Sequence, residues 1–258
     1  MNINTDMTNN RLLLTFLLLI TSACLFAQDE VQFTADRPGM ATGTDVIGKG
    51  VVQWETGLAY ESFANGPHTF IINNSLFRFG LSDFAEFRLG VDYVRFMADE
   101  TENPVYGFLP VTFGAKLKVY EGEGWVPSVS LMTNLASSRI GSKEFLPSNL
   151  APSLYLLVQH DWTDWLNVGY NIGAEWDGEQ AKPTTFAAIC FGASITDRLG
   201  CFVESYNYFS NEGNEYAFDF GFTCMATSRL QFDVAANFNF QHPKEYYLIS
   251  GGVAWMIN

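Results

Sequence analysis

Four copies of one short turn punctuate this chain, each set between two runs of alternating hydrophobicity. They read Leu81-Ser82-Asp83-Phe84, Trp162-Thr163-Asp164-Trp165, Ile195-Thr196-Asp197-Arg198 and Ala226-Thr227-Ser228-Arg229. Ser, Thr and Asp close tight turns because their side chains hydrogen-bond backbone groups a residue or two away. Between these turns lie longer, polar, mostly acidic connections. Tight turns alternating with long loops around strands of period two match the rims of a transmembrane β-barrel, one short and one long.

The period-two pattern is cleanest over 230–240. There Leu230, Phe232, Val234, Ala236, Phe238 and Phe240 share one face, and Gln231, Asp233, Ala235, Asn237 and Asn239 share the other. Successive strand side chains point to opposite faces, so one face meets an apolar phase and the other a polar one. Similar runs are expected at 51–63, 69–81, 84–96, 105–120, 125–136, 150–160, 165–176, 184–195, 199–210, 215–225 and 246–257. The fold expected is all-β: a membrane-spanning antiparallel up-and-down β-barrel of about 12 strands, an even number as in bacterial single-chain barrels. With both chain ends in the periplasm, the tight turns fall on that side. The connections 64–68, 97–104, 137–149, 177–183, 211–214 and 241–245 then face outward. Trp125, Trp162, Trp165, Trp176, Tyr246 and Tyr247 cluster toward strand ends, where amphipathic rings suit a membrane interface. A secreted β-sandwich shares the alternation but has no need of turns that alternate in length.

Residues 1–27 read as a signal peptide: Arg11, an apolar core over 12–20, then small residues up to Ala27. The core is short for a helical span, which needs about 20 residues. A lipoprotein site at Cys24 lacks the leucine usual at its start. The protein is organised as that signal, an irregular segment over 28–50, and a barrel over 51–258. Aromatic and charged residues each make up 16% of the chain. The charged share is low against the roughly 25% of soluble domains. A net charge of −14 argues against nucleic acid as a partner, because phosphate binding needs basic surface. Beyond the signal, Cys190, Cys201 and Cys224 lie inside strand-like runs with no Cys-x-x-Cys spacing. That argues against a zinc site and against a disulfide framework.

If the apolar faces meet lipid, the opposite faces line a lumen. Glu55, Glu61, Asp92, Lys118, Glu175 and Asp219 then point inward, together with the strongest candidates for a polar constriction: Arg78, Glu86, Arg88, Lys116, Glu204 and Asp233. Arg78 and Glu86 flank the Ser82-Asp83 turn at nearly matched distances, so hairpin pairing is expected to bring them together. The Pro-containing stretch 34–39 is expected to tuck into the lumen as a plug or to cap its periplasmic mouth.

These residues also carry a resemblance. The order Thr34-Ala35-Asp36-Arg37-Pro38-Gly39, Gly50-Val51-Val52-Gln53-Trp54-Glu55-Thr56-Gly57, then 77–88, Gly114-Ala115-Lys116, Val203-Glu204 and Leu230-Gln231-Phe232-Asp233 resembles an outer-membrane barrel family. That family is named after the meta-pathway of phenol degradation, and its members are labelled transporters. The resemblance implies an outer-membrane channel for small, hydrophobic or aromatic molecules, with Asp36, Arg37 and Pro38 as its N-terminal motif. The other readings are a structural or accessory barrel that binds an envelope protein through its loops, and a barrel lipid hydrolase. A hydrolase needs a base within reach of a nucleophile. The three histidines, His68, His160 and His242, stand in no recognisable arrangement, and no Gly-x-Ser-x-Gly elbow is present. No catalytic residue, metal site or cofactor is expected; the partners expected are outer-membrane lipid and a small solute.

Overall fold

A computed structural model describes residues 33–64, 66–98, 103–240 and 245–258. The signal peptide expected over 1–27 and His242 lie outside these residues. The described chain is all-β. Its strands are β1 (Val52–Phe63), β2 (His68–Ser82), β3 (Ala85–Met97), β4 (Val105–Phe108), β5 (Thr112–Tyr120), β6 (Ser128–Ala136), β7 (Ala151–Thr163), β8 (Leu166–Glu175), β9 (Thr184–Ser194), β10 (Leu199–Phe209), β11 (Asn214–Thr227), β12 (Leu230–Asn239) and β13 (Tyr246–Met256). Each pairs antiparallel with its sequence neighbours, except that β4 and β5 both pair with β3 and not with each other, and β1 pairs with β13 from Gln53↔Met256 to Phe63↔Tyr246, which closes the sheet. Closure removes every free edge, the condition for a sheet to sit in hydrocarbon.

The expected strand over 105–120 is interrupted. β4 and β5 both pair with β3 and run in the same direction. They form one wall position broken at 109–111, where Pro110 has no N–H to donate to the ladder. Counted as wall positions, the barrel has twelve strands.

The turns between β2 and β3, β7 and β8, β9 and β10, and β11 and β12 sit at one rim with both ends of the barrel wall. In each, the Ser or Thr hydroxyl accepts backbone N–H bonds. Thr163 takes those of Trp165 and Leu166 at 3.3 and 3.0 Å, Thr196 those of Arg198 and Leu199 at 3.2 and 3.0 Å, and Thr227 that of Arg229 at 3.2 Å. Ser82 makes a longer 3.5 Å contact with the Phe84 N–H. The chemistry of the rim is more regular than its loop lengths. The β5–β6 connection is longer than its companions, with Gly124 at φ +61°, while 64–67 and 210–213 at the opposite rim are nearly as short as turns.

Alternation places the apolar side chains outside. Phe232 and Val234 are exposed while Gln231, Asp233 and Ala235 are buried. Leu58, Leu131, Leu154, Ile172, Phe222 and Ile249 continue the apolar outer surface around the barrel. Trp125 and Trp162 pack with ring centroids 5.9 Å apart at the short-turn rim. Cys190, Cys201 and Cys224 are free thiols within strands.

Candidate functional site: the N-terminal segment and the barrel interior

A chain segment without regular structure carries backbone N–H and C=O groups that no ladder satisfies, and burying them is costly unless side chains pair with them. The polar side chains inside this barrel do that work for residues 34–50. Glu55 accepts the N–H groups of Asp36 and Arg37 at 3.1 Å. Glu204 accepts those of Met40 and Ala41 at 2.6 and 3.0 Å. Asn171 accepts the Thr42 N–H at 2.7 Å and donates back to the Thr42 carbonyl at 3.0 Å. Ser130 donates to the Thr44 carbonyl at 2.6 Å, and Glu86 accepts the Ile47 N–H at 2.9 Å. These partners stand on β1, β10, β8, β6 and β3, so the segment is tied to the wall on every side. At the short-turn rim, Ile47 is fully buried with Val51, Met256 and Phe33. There Gly80 lets the Gly48 backbone pass so close that no side chain would fit between them.

Six charged groups meet below the segment. Asp36 receives Lys116 Nζ at 2.9 Å and Arg88 Nη1 at 2.5 Å, with Arg78 Nη1 at 3.7 Å. Glu86 pairs with Arg78 at 2.8 Å and with Arg88 at 2.7 Å, and Glu55 pairs with Arg78 at 3.0 Å. Three cations from β2, β3 and β5 thus balance three carboxylates, and every one of these side chains is at most 8% exposed. The Asp36 carboxyl lies outside the strands. Burial pushes its pKa up, but Arg78, Lys116 and Arg88 outweigh burial and hold it well below the usual carboxylate range.

The Arg78–Glu86 pair forms, but not by direct opposition. A bulge at Gly80/Ser82 shifts the register, so Arg78 faces Arg88 across the hairpin and Glu86 faces Gly80. Two like charges placed opposite each other repel. The carboxylates of Glu86 and Asp36, which bridge them, remove that cost.

Asp233 and Glu204 stand apart from this cluster. Asp233 takes Arg37 in a fork, Nε at 3.2 Å and Nη2 at 3.0 Å, and Asn74 accepts from Arg37 Nη1 at 3.2 Å. The Arg37 guanidinium lies on a floor of two glycines, Gly57 and Gly252, which face each other across β1 and β13. Pro38 follows through a cis peptide bond. The remaining inward charges expected from the sequence take other partners. Lys118 bridges Asp45 at 3.0 Å and Glu121 at 3.4 Å, Asp92 accepts from Asn74 at 2.9 Å, and Glu61 and Glu175 accept from Tyr246 at 3.1 Å and Tyr155 at 2.8 Å. Asp219 Oδ1 is buried with no hydrogen-bond partner among the described residues.

On the long-loop side of the segment lies a cavity of about 550 Å³. Asp36, Arg37, Arg88, Asp92, Tyr155 and Glu175 line it together with small and apolar residues such as Ala59, Ile71, Leu76, Ala136 and Leu248. Beside it, Phe186, Tyr206 and Tyr208 pack as an inward aromatic cluster, with Tyr155 and Ala41 against it. The sequence reading passed over Tyr206 and Tyr208, although they share the strand parity of Glu204 and so had to point inward with it.

Of the histidines, His68 Nδ1 meets the Ser62 hydroxyl at 2.9 Å and the Tyr60 hydroxyl at 3.4 Å. Neither contact orients the ring through its other nitrogen, as a nucleophile–base pair requires. His160 Nδ1 is buried without a hydrogen-bond partner among the described residues, and its ring packs edge-on against Tyr170.

The sequence profile of one family, described as "Putative MetA-pathway of phenol degradation", matches residues 35–257. No curated protein matches. Among solved structures, the KdgM porin in complex with disordered oligogalacturonate aligns at a TM-score of 0.56 and 13% identity, over 79% of this chain and 99% of that one. The NanC porin aligns at 0.56 and 10%, over 78% and 98%. The CymD monoaromatic hydrocarbon channel aligns at 0.47 and 8%, over 82% and 89%, too distant a likeness to bear on function.

Proposed function

The chain belongs to that family, and from this premise we propose that it is a passive channel of a Gram-negative outer membrane, exported by its signal 1–27 and closed by its own segment 28–50. The short-turn rim is periplasmic, and the apolar outer face meets lipid. The solutes are small molecules with hydrophobic or aromatic bodies, and they cross without chemical change. One observation carries the reading. A cavity large enough for such a solute, lined by charged and polar groups together with Tyr155 and apolar residues, ends on a segment held by side chains and not by the sheet. Held by side-chain hydrogen bonds and ion pairs and not by ladder bonds, the segment can leave without breaking the sheet. Arg78, Glu86, Arg88, Lys116, Glu204 and Asp233 form the constriction in this account, with Asp36, Arg37 and Pro38 as the part of the plug that docks on it.

The test is liposome swelling with small neutral and aromatic solutes, comparing the full chain with a form lacking residues 28–48. Swelling that scales inversely with solute size supports a channel. Vesicles that stay sealed, from a barrel that co-purifies with an envelope protein, would favour the accessory reading. The many ties between segment and wall are the observation that keeps that reading in view.

A further inference from the structure

The cation cluster has the form of a carboxylate site that is already occupied. Without Asp36, the wall contributes Arg78, Arg88 and Lys116 against Glu55 and Glu86, a surplus of one positive charge. Asp36 supplies the missing charge, and it does so from the segment and not from the wall. Two further observations point to a ligand. Arg88 spends a single nitrogen, Nη1, on both of its carboxylates, and its buried Nε has no hydrogen-bond partner among the described residues. Asp36 and Arg88 line the 550 Å³ cavity, with Arg78 and Lys116 fully buried beside them, so a molecule in that cavity meets the site at Arg88 and Asp36.

We infer that Arg78, Arg88 and Lys116 form a binding site for the carboxylate of a small monoanionic solute, and that Asp36 is a tethered ligand which holds that site while the segment is docked. This rests on the channel reading and names its solute class. A guanidinium offers parallel donors to a planar carboxylate, and the idle Arg88 Nε gives an incoming carboxylate a bond that Asp36 does not use. The rest of the cavity sets the body of the solute. Ile71, Leu76, Leu248 and the Tyr155 ring favour an apolar or aromatic group, and Asp92 and Glu175 repel a second negative charge. A monocarboxylate with an apolar body fits; a polyanion does not. Binding of such a molecule displaces Asp36 and frees the segment at the point where it is most strongly held.

The experiment uses the full chain in detergent and in planar bilayers, with sodium benzoate as probe and benzyl alcohol as its neutral counterpart. A ligand that competes with a tethered one binds more weakly by the fraction of time the site is free. Asp36→Asn is therefore expected to tighten benzoate binding by about tenfold or more by calorimetry, with benzyl alcohol unaffected. Adding Arg88→Gln to Asp36→Asn should abolish the gain. In the wild-type chain, which needs no variant to fold, millimolar benzoate should raise the open fraction in bilayers while benzyl alcohol does not. Equal benzoate binding in wild type and Asp36→Asn, or binding that survives Arg88→Gln, overturns the inference. Benzoate binding tightened by Asp36→Asn in a barrel that never conducts would uphold the site and sink the channel. Conductance indifferent to benzoate in wild type and Asp36→Asn would uphold the channel and sink the site.

Discussion

Gly57→Ala is a small change with a large expected effect. A methyl group at residue 57 falls on the Arg37 guanidinium, with Cζ at 2.6 Å and Nη1 at 2.7 Å, and no backbone atom is among its nearest neighbours. The strand therefore accepts alanine, and Arg37 must leave its floor. Its departure breaks the fork to Asp233, whose side chain is fully buried. Separating a buried ion pair costs about 3–5 kcal/mol, because the remaining charge has no compensation. At the lower end, the undocked population of the segment rises by about 150-fold. The assay is the rate at which a membrane-impermeant maleimide labels Thr44→Cys, with Cys190, Cys201 and Cys224 replaced by serine. Thr44 is 1% exposed, so labelling reports opening. Gly57→Ala and Arg37→Ala should each accelerate labelling by about two orders of magnitude or more. The double variant should be no faster than either, since both remove one interaction. An unchanged rate in Gly57→Ala, or effects that multiply, would refute the reasoning.

Three further outcomes follow from the same contacts. Asp36 has a folded-state pKa below its unfolded value, so its contribution is complete above about pH 4 and is lost as pH falls further. Thr44→Cys labelling, taken relative to a free thiol at the same pH because the thiolate is the reacting form, should therefore accelerate below about pH 4, and Asp36→Asn should remove that acid response. Lys116→Met leaves the buried carboxylates with one cation too few, and it should lower the barrel's stability in urea by about 3 kcal/mol or more. Thr196→Ala leaves two turn N–H groups without the hydroxyl they share; a loss of about 1 kcal/mol is expected in the same titration. Ser82→Ala, whose single contact is long, should cost less.

The wall was legible because its rule is local. Inside–outside alternation in β12 and the hydroxyl turns require nothing beyond a few neighbouring residues, and both are found where the sequence puts them. The Arg78–Glu86 contact was legible as a meeting but not in its register. A bulge at Gly80/Ser82 changes which residues stand opposite, and nothing in the spacing of the turn announces it. The break at 109–111 had a sign in Pro110, which a long strand reading overrode. The interior was legible as a set of inward charges and not as an arrangement. Arg37 meets Asp233 across 196 positions of sequence, and Met40 meets Glu204 across 164. Such contacts depend on where an irregular segment runs inside a closed sheet, which periodicity cannot specify. The Gly57–Gly252 floor was hidden for the same reason. Two glycines in strands read as weak points until the register pairs them under one guanidinium.

The central claim is that the segment closes the barrel and that its removal opens a path. Single-channel conductance in planar bilayers tests this directly, comparing the full chain with a form lacking residues 28–48. The account predicts a mostly closed full chain and a stable, open conductance in the shortened one. Equal conductance in the two would contradict it.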